Sequence, residues 1–167
     1  MSLEAETVIR HSAADIVEAY ITRDFHEHLA GKVGSTLKSF EVKGQTSGAF
    51  EIVSEQSMPV DRLPDIAKKI VKGQVNVTIT EAWNGADAEG SRRSDMSIEI
   101  AQAPVSAVAA QVLHARGETE TLATVRGDVK TSIPLIGNKL KAAAEPYLKR
   151  FAQLQAREVS AWLEKSH

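Results

Sequence analysis

Residues 137–165 read GNKLKAAAEPYLKRFAQLQAREVSAWLEK, and this stretch decides the architecture. Leu140, Ala144, Tyr147, Phe151, Leu154 and Trp162 recur at helical spacing, with Leu148, Val159 and Leu163 beside them. The spacing predicts one helix over about 137–165, roughly 40 Å long at the usual rise per residue. Pro146 lies inside it. Proline has no N–H for the carbonyl four residues back and crowds it, so a kink is expected near Ala142–Pro146. A helix this long with one apolar stripe needs a broad apolar surface to lie on.

The preceding chain supplies that surface as strands. Leu3, Ala5, Thr7 and Ile9 alternate with Glu4, Glu6, Val8 and Arg10, the period of a half-buried strand. Ser12 can cap a helix start, with Asp15 three residues on. Ile16, Val17 and Tyr20 supply its stripe. Thr22 reads as a second cap, followed by Asp24, Phe25 and Leu29 and a stop at Gly31, so two short helices are expected. Residues 35–43 and 47–58 form a hairpin around Lys43-Gly44-Gln45, and Pro59 ends it. In its second strand Phe50, Ile52, Ser54 and Gln56 share one face. A short helix, Pro64 to Val71, stops at Gly73. Strands follow over 74–84 and 92–102, joined by a loop over 84–90. A last hairpin spans 105–116 and 119–132, turning at Gly117. Its first strand is alanine-rich and suits a helix by propensity; the strand reading rests on its neighbours. Helices kept apart from a run of antiparallel strands mean an α+β fold. The expectation is a single domain over 1–167, a curved antiparallel sheet of six to seven strands wrapped around the long C-terminal helix.

Composition narrows the function. The chain has 43% hydrophobic and 25% charged residues, so it can bury an ordinary core without a disulfide or metal. It has no cysteine, which removes thiol nucleophiles and thiolate metal sites and suits a reducing cytoplasm. Glu4, Glu6, Arg10 and Asp15 leave no apolar signal core near the N-terminus. No run reaches the roughly 18 apolar residues of a membrane span. A net charge of -2 argues against nucleic acid as the main partner. Lys139, Lys141, Lys149 and Arg150 gather near the end, but Glu145, Glu158 and Glu164 punctuate them, as on a solvated helix face.

The site question turns on what lies under the long helix. On the last strand Thr121, Ala123, Val125, Gly127, Val129 and Thr131 share one parity. The other holds Leu122, Thr124, Arg126, Asp128 and Lys130 and should face water. The strand before it carries Ala107, Ala109, Ala110 and Ala115. Small side chains permit either a helix packed close on the sheet or a gap that a ligand fills. The residues expected to face such a ligand are Trp83, Ile98, Gln111, Thr121, Ala123, Val125, Tyr147 and Phe151. Trp83 and Phe151 also suit an ordinary core, and Gln111, Thr121 and Tyr147 can equally satisfy local backbone groups. Glu81 shares a face with Val77, Ile79 and Trp83. If that face is inward, Glu81 is a carboxyl with a raised pKa, able to act as acid or base. The plainer reading, preferred at this point, lets it reach solvent near the strand end.

Three motifs fail. His26-Glu27-His28-Leu29-Ala30 opens like a zinc-protease helix but has Ala30 where the second ligand belongs, and His26 and His28 cannot share a helix face. Gly31-Lys32-Val33-Gly34-Ser35-Thr36 has the letters of a phosphate loop in the wrong order. His114 has no identifiable Ser or Cys partner. No metal site, dinucleotide fingerprint or cofactor motif is found.

The element order resembles the helix-grip superfamily, the START-like and polyketide-cyclase-like proteins that include the birch pollen allergens. The likeness covers the whole chain. More narrowly, Pro64–Gly73, Glu81-Ala82-Trp83, the stretch from Gly127 to Lys139 with its Ile133-Pro134-Leu135-Ile136-Gly137, and Trp162-Leu163 resemble an uncharacterised branch found in actinobacteria. The resemblance implies a ligand cavity between sheet and C-terminal helix. It transfers no catalytic role, since members use the cavity for different ends. The leading expectation is a binder of a small hydrophobic molecule, a lipid or polyketide-like metabolite. The alternative is a cyclase- or hydratase-type enzyme with Glu81 or Tyr147 as acid or base. A third is a protein-interaction module, with a homodimer as one form.

Overall fold

Seven strands form one antiparallel sheet in the computed structural model, which describes residues 3–71, 73–101 and 103–165. They are β1 (Leu3–Ile9), β2 (Thr36–Gly44), β3 (Phe50–Met58), β4 (Val75–Trp83), β5 (Arg92–Ile100), β6 (Val105–Ala115) and β7 (Thr121–Thr131). Their order across the sheet is β1-β7-β6-β5-β4-β3-β2. Strands two to seven form a meander, and β7 closes back on β1. Helices α1 (Ala13–Tyr20) and α2 (Arg23–Lys32) follow β1, and a short α3 (Asp65–Lys68) precedes β4. Helix α4 runs from Gly137 to Lys165 and continues through Pro146. This is the helix-grip architecture.

Register makes one face of the sheet the inner one. Ala5, Val125, Gln111, Ser94, Trp83 and Phe50 pair successively across six strands. The next inward row runs Leu3, Gly127, Ala109, Met96, Glu81, Ile52 and Val42. The alanine-rich segment 105–115 is a strand, because both its edges are taken by β5 and β7. Ladder pairing on both sides outweighs alanine's helical preference.

The solid part of the core lies at one end. Phe50 stacks on Trp83 at 6.0 Å and 9°, Tyr20 lies 6.1 Å from both Trp83 and Phe25, and Phe25 meets Trp162 edge-on at 5.6 Å. Val159 and Leu163 of α4 are buried in the same cluster. Glu158 of α4 accepts from His28 at 2.7 Å and lies 3.9 Å from Lys32, so α2 and the C-terminal half of α4 are clamped together.

Local details depart from the sequence expectations in four places. Ser12 caps α1 as expected, its Oγ accepting from the Asp15 N–H at 3.1 Å. Thr22 sits at the start of α2 but does not cap it with its side chain. Its hydroxyl donates instead to the Glu18 carbonyl at 2.8 Å, tying down the end of α1. Helix α2 passes Gly31 and ends at Lys32. The residue in the left-handed region is Gly34 (φ 75°), and the Ser35 N–H reaches back to the Ala30 carbonyl. The helix expected over Pro64–Val71 is shorter, because a 3-10 turn at Val60–Arg62 comes first and α3 ends at Lys68. The strand expected over 92–102 ends at Ile100; Gln102 lies outside the described residues.

Candidate functional site

Helix α4 lies mainly over β1 and β7 rather than over the middle of the sheet. The small inward residues of β6 and β7 therefore work as close-packing sites. Ala123 and Leu113 are buried in the core cluster. The gap expected above Ala123 and Val125 is displaced to the other half of the sheet. There, Val77 and Ile79 of β4 and Met96 of β5 point inward yet stay half-buried. They line an open space rather than the core cluster.

The space above these residues is a cavity of about 470 Å³ between β3–β5, α2 and the middle of α4. Leu29, Ala30 and Val33 of α2 form one wall. Met58, Val77, Ile79 and Met96 form the floor, and Phe151 and Leu154 of α4 the opposite wall. Polar groups are few: Ser54, Gln56, Glu81, His26, Gln155, Tyr147, Arg62 and Arg150. An apolar pocket of this size with a few convergent polar groups is the usual form of a small-molecule site.

Glu81 is the buried ionisable group among them. It sits between Ile52 and Met96 in the ladder and is buried. Loss of water raises its pKa to about 7, and the indole N–H of Trp83 offsets part of that rise. The indole leans toward the carboxyl without closing a hydrogen bond of ordinary geometry. The solvent-reaching reading of Glu81 is thus overturned: β4 carries it inward with Trp83, and its neighbours exclude water. Near neutral pH this carboxyl can donate or accept a proton. Behind it lies Tyr20, fully buried, whose phenol interacts with Gln111. Burial first and the Glu81 charge second push its pKa well above the ordinary range, so it stays a neutral hydroxyl.

His26 borders the cavity from α2. Its Nε2 lies 2.6 Å from the Tyr20 carbonyl. A carbonyl only accepts, so Nε2 carries the proton and Nδ1 is left as an acceptor. Its ring packs 4.7 Å from Phe40, and burial lowers its pKa, which keeps it neutral. His28 points away to Glu158, as two residues of separation on a helix require. Among the described residues no group of three or more His, Asp or Glu side chains could hold a metal ion.

The expected ligand-facing residues divide. Tyr147 and Phe151 line the cavity, together with the acid–base candidate Glu81. Trp83 belongs to the aromatic core, and Gln111 sits beside Tyr20. Thr121 is buried with its hydroxyl donating to the His11 carbonyl at 2.8 Å. Ala123 is core. Ile98 and Val125 have the inward parity but lie outside the cavity lining, Ile98 between Ile79 and Ala107, Val125 between Ala5 and Gln111. His26, Gln56, Arg62, Met96 and Arg150 were not anticipated. One signal existed: Ser54 and Gln56 share a face with Phe50 and Ile52, and polar residues on a core face often mark a cavity.

Residues 4–163 match the model of a family described as a protein family of unknown function, DUF2505. The chain belongs to DUF2505. An uncharacterized protein of Mycobacterium tuberculosis is 26% identical over 132 residues, which is 77% of this chain and 75% of the relative. That likeness accords with the resemblance to an uncharacterised actinobacterial branch. Among solved structures, a START superfamily protein of Mycobacterium smegmatis matches this DUF2505 chain with a TM-score of 0.54, 13% identity and 99% of both chains covered. An aromatase/cyclase of Streptomyces matches with a TM-score of 0.56, 11% identity, and 99% of this chain and 94% of that one covered. At such identities these likenesses speak for the fold. Among the described residues no helix is long and apolar enough to cross a membrane.

Proposed function

We propose that this DUF2505 protein binds a small, largely apolar molecule in the cavity between α2, α4 and β3–β5. The observation that carries the reading is an inward sheet face left uncovered at Val77, Ile79 and Met96, with the buried carboxyl of Glu81 at its end. Apolar side chains left half-buried in a cleft stay wet unless a ligand covers them. The START-like neighbours support the reading by analogy of fold. Native mass spectrometry of protein purified from its own host should show a retained small molecule. A thermal-shift panel of lipids and polyketide-like compounds should raise the melting temperature for a subset. A protein that comes through both tests without a ligand would refute the reading.

A second reading is favoured by Glu81 itself. A carboxyl whose pKa lies near neutrality, bordering a pocket, can serve as general acid or base in a cyclase- or hydratase-type step. Tyr147, the other candidate, is 42% exposed with Arg150 over its ring, so it suits the rim better than acid–base work. Turnover of a bound compound that Glu81→Gln abolishes, while binding persists, would establish the enzyme. Unchanged turnover in that variant would remove Glu81 from the role.

A further inference from the structure

We propose that the molecule held in this cavity is an amphiphile with an oxyanion head, a carboxylate or a phosphate, received at the mouth by Arg62 and Arg150. The inference rests on the binding reading above.

Four other arginines are matched to carboxylates: Arg23 with Glu27, Arg93 with Asp95, Arg126 with Glu4, and Arg157 with Glu158. Arg92 is spent on backbone carbonyls. Of the remaining arginines, Arg62 and Arg150 border the cavity and are exposed at its mouth, and among the described residues neither is paired with a carboxylate. They come from opposite walls, Arg62 from the turn before α3 and Arg150 from α4.

Each is held by its surroundings with donors to spare. Arg150 Nε donates to the Pro146 carbonyl at 3.2 Å, and its guanidinium lies 4.6 Å from the centre of the Tyr147 ring. Its terminal nitrogens remain for a ligand. The Arg62 guanidinium lies against Gly34 so closely that a Cβ there would come within 2.9 Å of it. Gly34 follows the C-terminus of α2, where carbonyls favour a cation. Two acids of the flanking helices are paired with lysines, Glu145 with Lys149 at 3.1 Å and Asp65 with Lys68 at 3.6 Å. A guanidinium presents paired N–H groups that match the oxygens of a carboxylate or phosphate.

Burial governs the Glu81 carboxyl in the cavity lining, and Trp83 tempers it. A ligand with its head between the arginines would lay its apolar body along Val77, Ile79 and Leu154 and bring a neutral end toward Glu81.

The test compares decanoate, decyl phosphate and decan-1-ol by isothermal titration, on the native chain and on the double variant Arg62→Gln/Arg150→Gln. The two anions should bind about tenfold or more tighter than the alcohol, as charge-assisted hydrogen bonds imply. The double variant should lose that preference while its affinity for the alcohol stays unchanged. Whichever anion binds tighter identifies the head group. Equal binding of alcohol and anions, or a preference that survives in the variant, would overturn the oxyanion proposal and leave the apolar cavity reading standing. Binding by none of the three would count against both. Circular dichroism of the variant should match the native chain, because both side chains are exposed.

Discussion

Glu81 loses its water on folding and gains little in return. Its pKa moves from 4.5 to about 7, so the unfolded chain ionises first as pH rises. Below pH 4.5 both states are protonated and Glu81 has no effect. Between there and about pH 7 the unfolded state releases its proton while the folded state keeps it, so stability falls; above that the penalty is constant. The full shift corresponds to roughly 3 kcal/mol as an upper figure. His26 acts in the opposite sense. Its lowered pKa keeps it neutral in the fold, so it removes stability as pH drops through the ordinary histidine range. Glu81→Gln should therefore raise stability at pH 8 by up to roughly 3 kcal/mol and have little effect near pH 4. Urea unfolding of both proteins at the two pH values measures this. A parallel pair of pH profiles would mean that Glu81 is solvated. A residue that weakens the fold at neutral pH, on the lining of a cavity, fits the proposed binding role.

Among the elements, the turns show how a single side chain substitutes for packing. Arg92, buried at the start of β5, donates to the Thr46 and Gly48 carbonyls of the β2–β3 turn and to the Asn84 carbonyl after β4. Its guanidinium also lies 5.2 Å from the Phe50 ring centre. A lysine cannot make this fork, so Arg92→Lys should cost about 1–3 kcal/mol in chemical denaturation. The connection into α4 is strained in a different way. Leu135 is 96% exposed and has φ 70°, a region that suits glycine. Leu135→Gly should stabilise the chain by up to about 1 kcal/mol, less the extra freedom glycine gives the unfolded state; a loss of stability on thermal unfolding would mean that the side chain has a hidden partner. These local features mark where the sequence was legible. Alternation along β1 to β5 and the period of 137–165 revealed the elements because each has one dry face. The Ala-rich β6 could be placed only through its neighbours, because alanine carries no strand preference of its own. The end of α2 was misread because Gly31 and Gly34 look alike in sequence, and only chain direction picks the left-handed one. Glu81 was legible by parity. Whether its face was dry was not, because that depends on where α4 lands. Arg62 and Arg150 were invisible as a pair, since residues 88 apart in sequence come to border one cavity only in the fold.

At the scale of the whole molecule, α4 does two jobs with its two halves. Its C-terminal half completes a solid aromatic core through Val159, Trp162 and Leu163. Its middle stands off from β3–β5, leaving Tyr147 and Phe151 at 42% and 40% exposure beside the cavity. The fold is therefore stabilised at one end and left unfilled at the other. Substitutions that fill the gap should test the proposed binding without dismantling the core. Val77 is suited to this, because it is half-buried, inward on β4, and paired with Gln56 and Ile100 rather than with the aromatic cluster. Val77→Phe adds apolar volume to space that no side chain occupies. Its urea-unfolding free energy should stay within about 1 kcal/mol of the native chain, because the overpacking penalty of a filled interior does not apply. A ligand present at a hundredfold its Kd stabilises the native chain by about 2.7 kcal/mol. The variant should lose most of that shift, since the added ring would stand where the proposed ligand's body would lie. If Val77→Phe instead unfolds readily, the region above β4 is already packed. If it folds normally and still responds fully to the ligand, the molecule binds elsewhere.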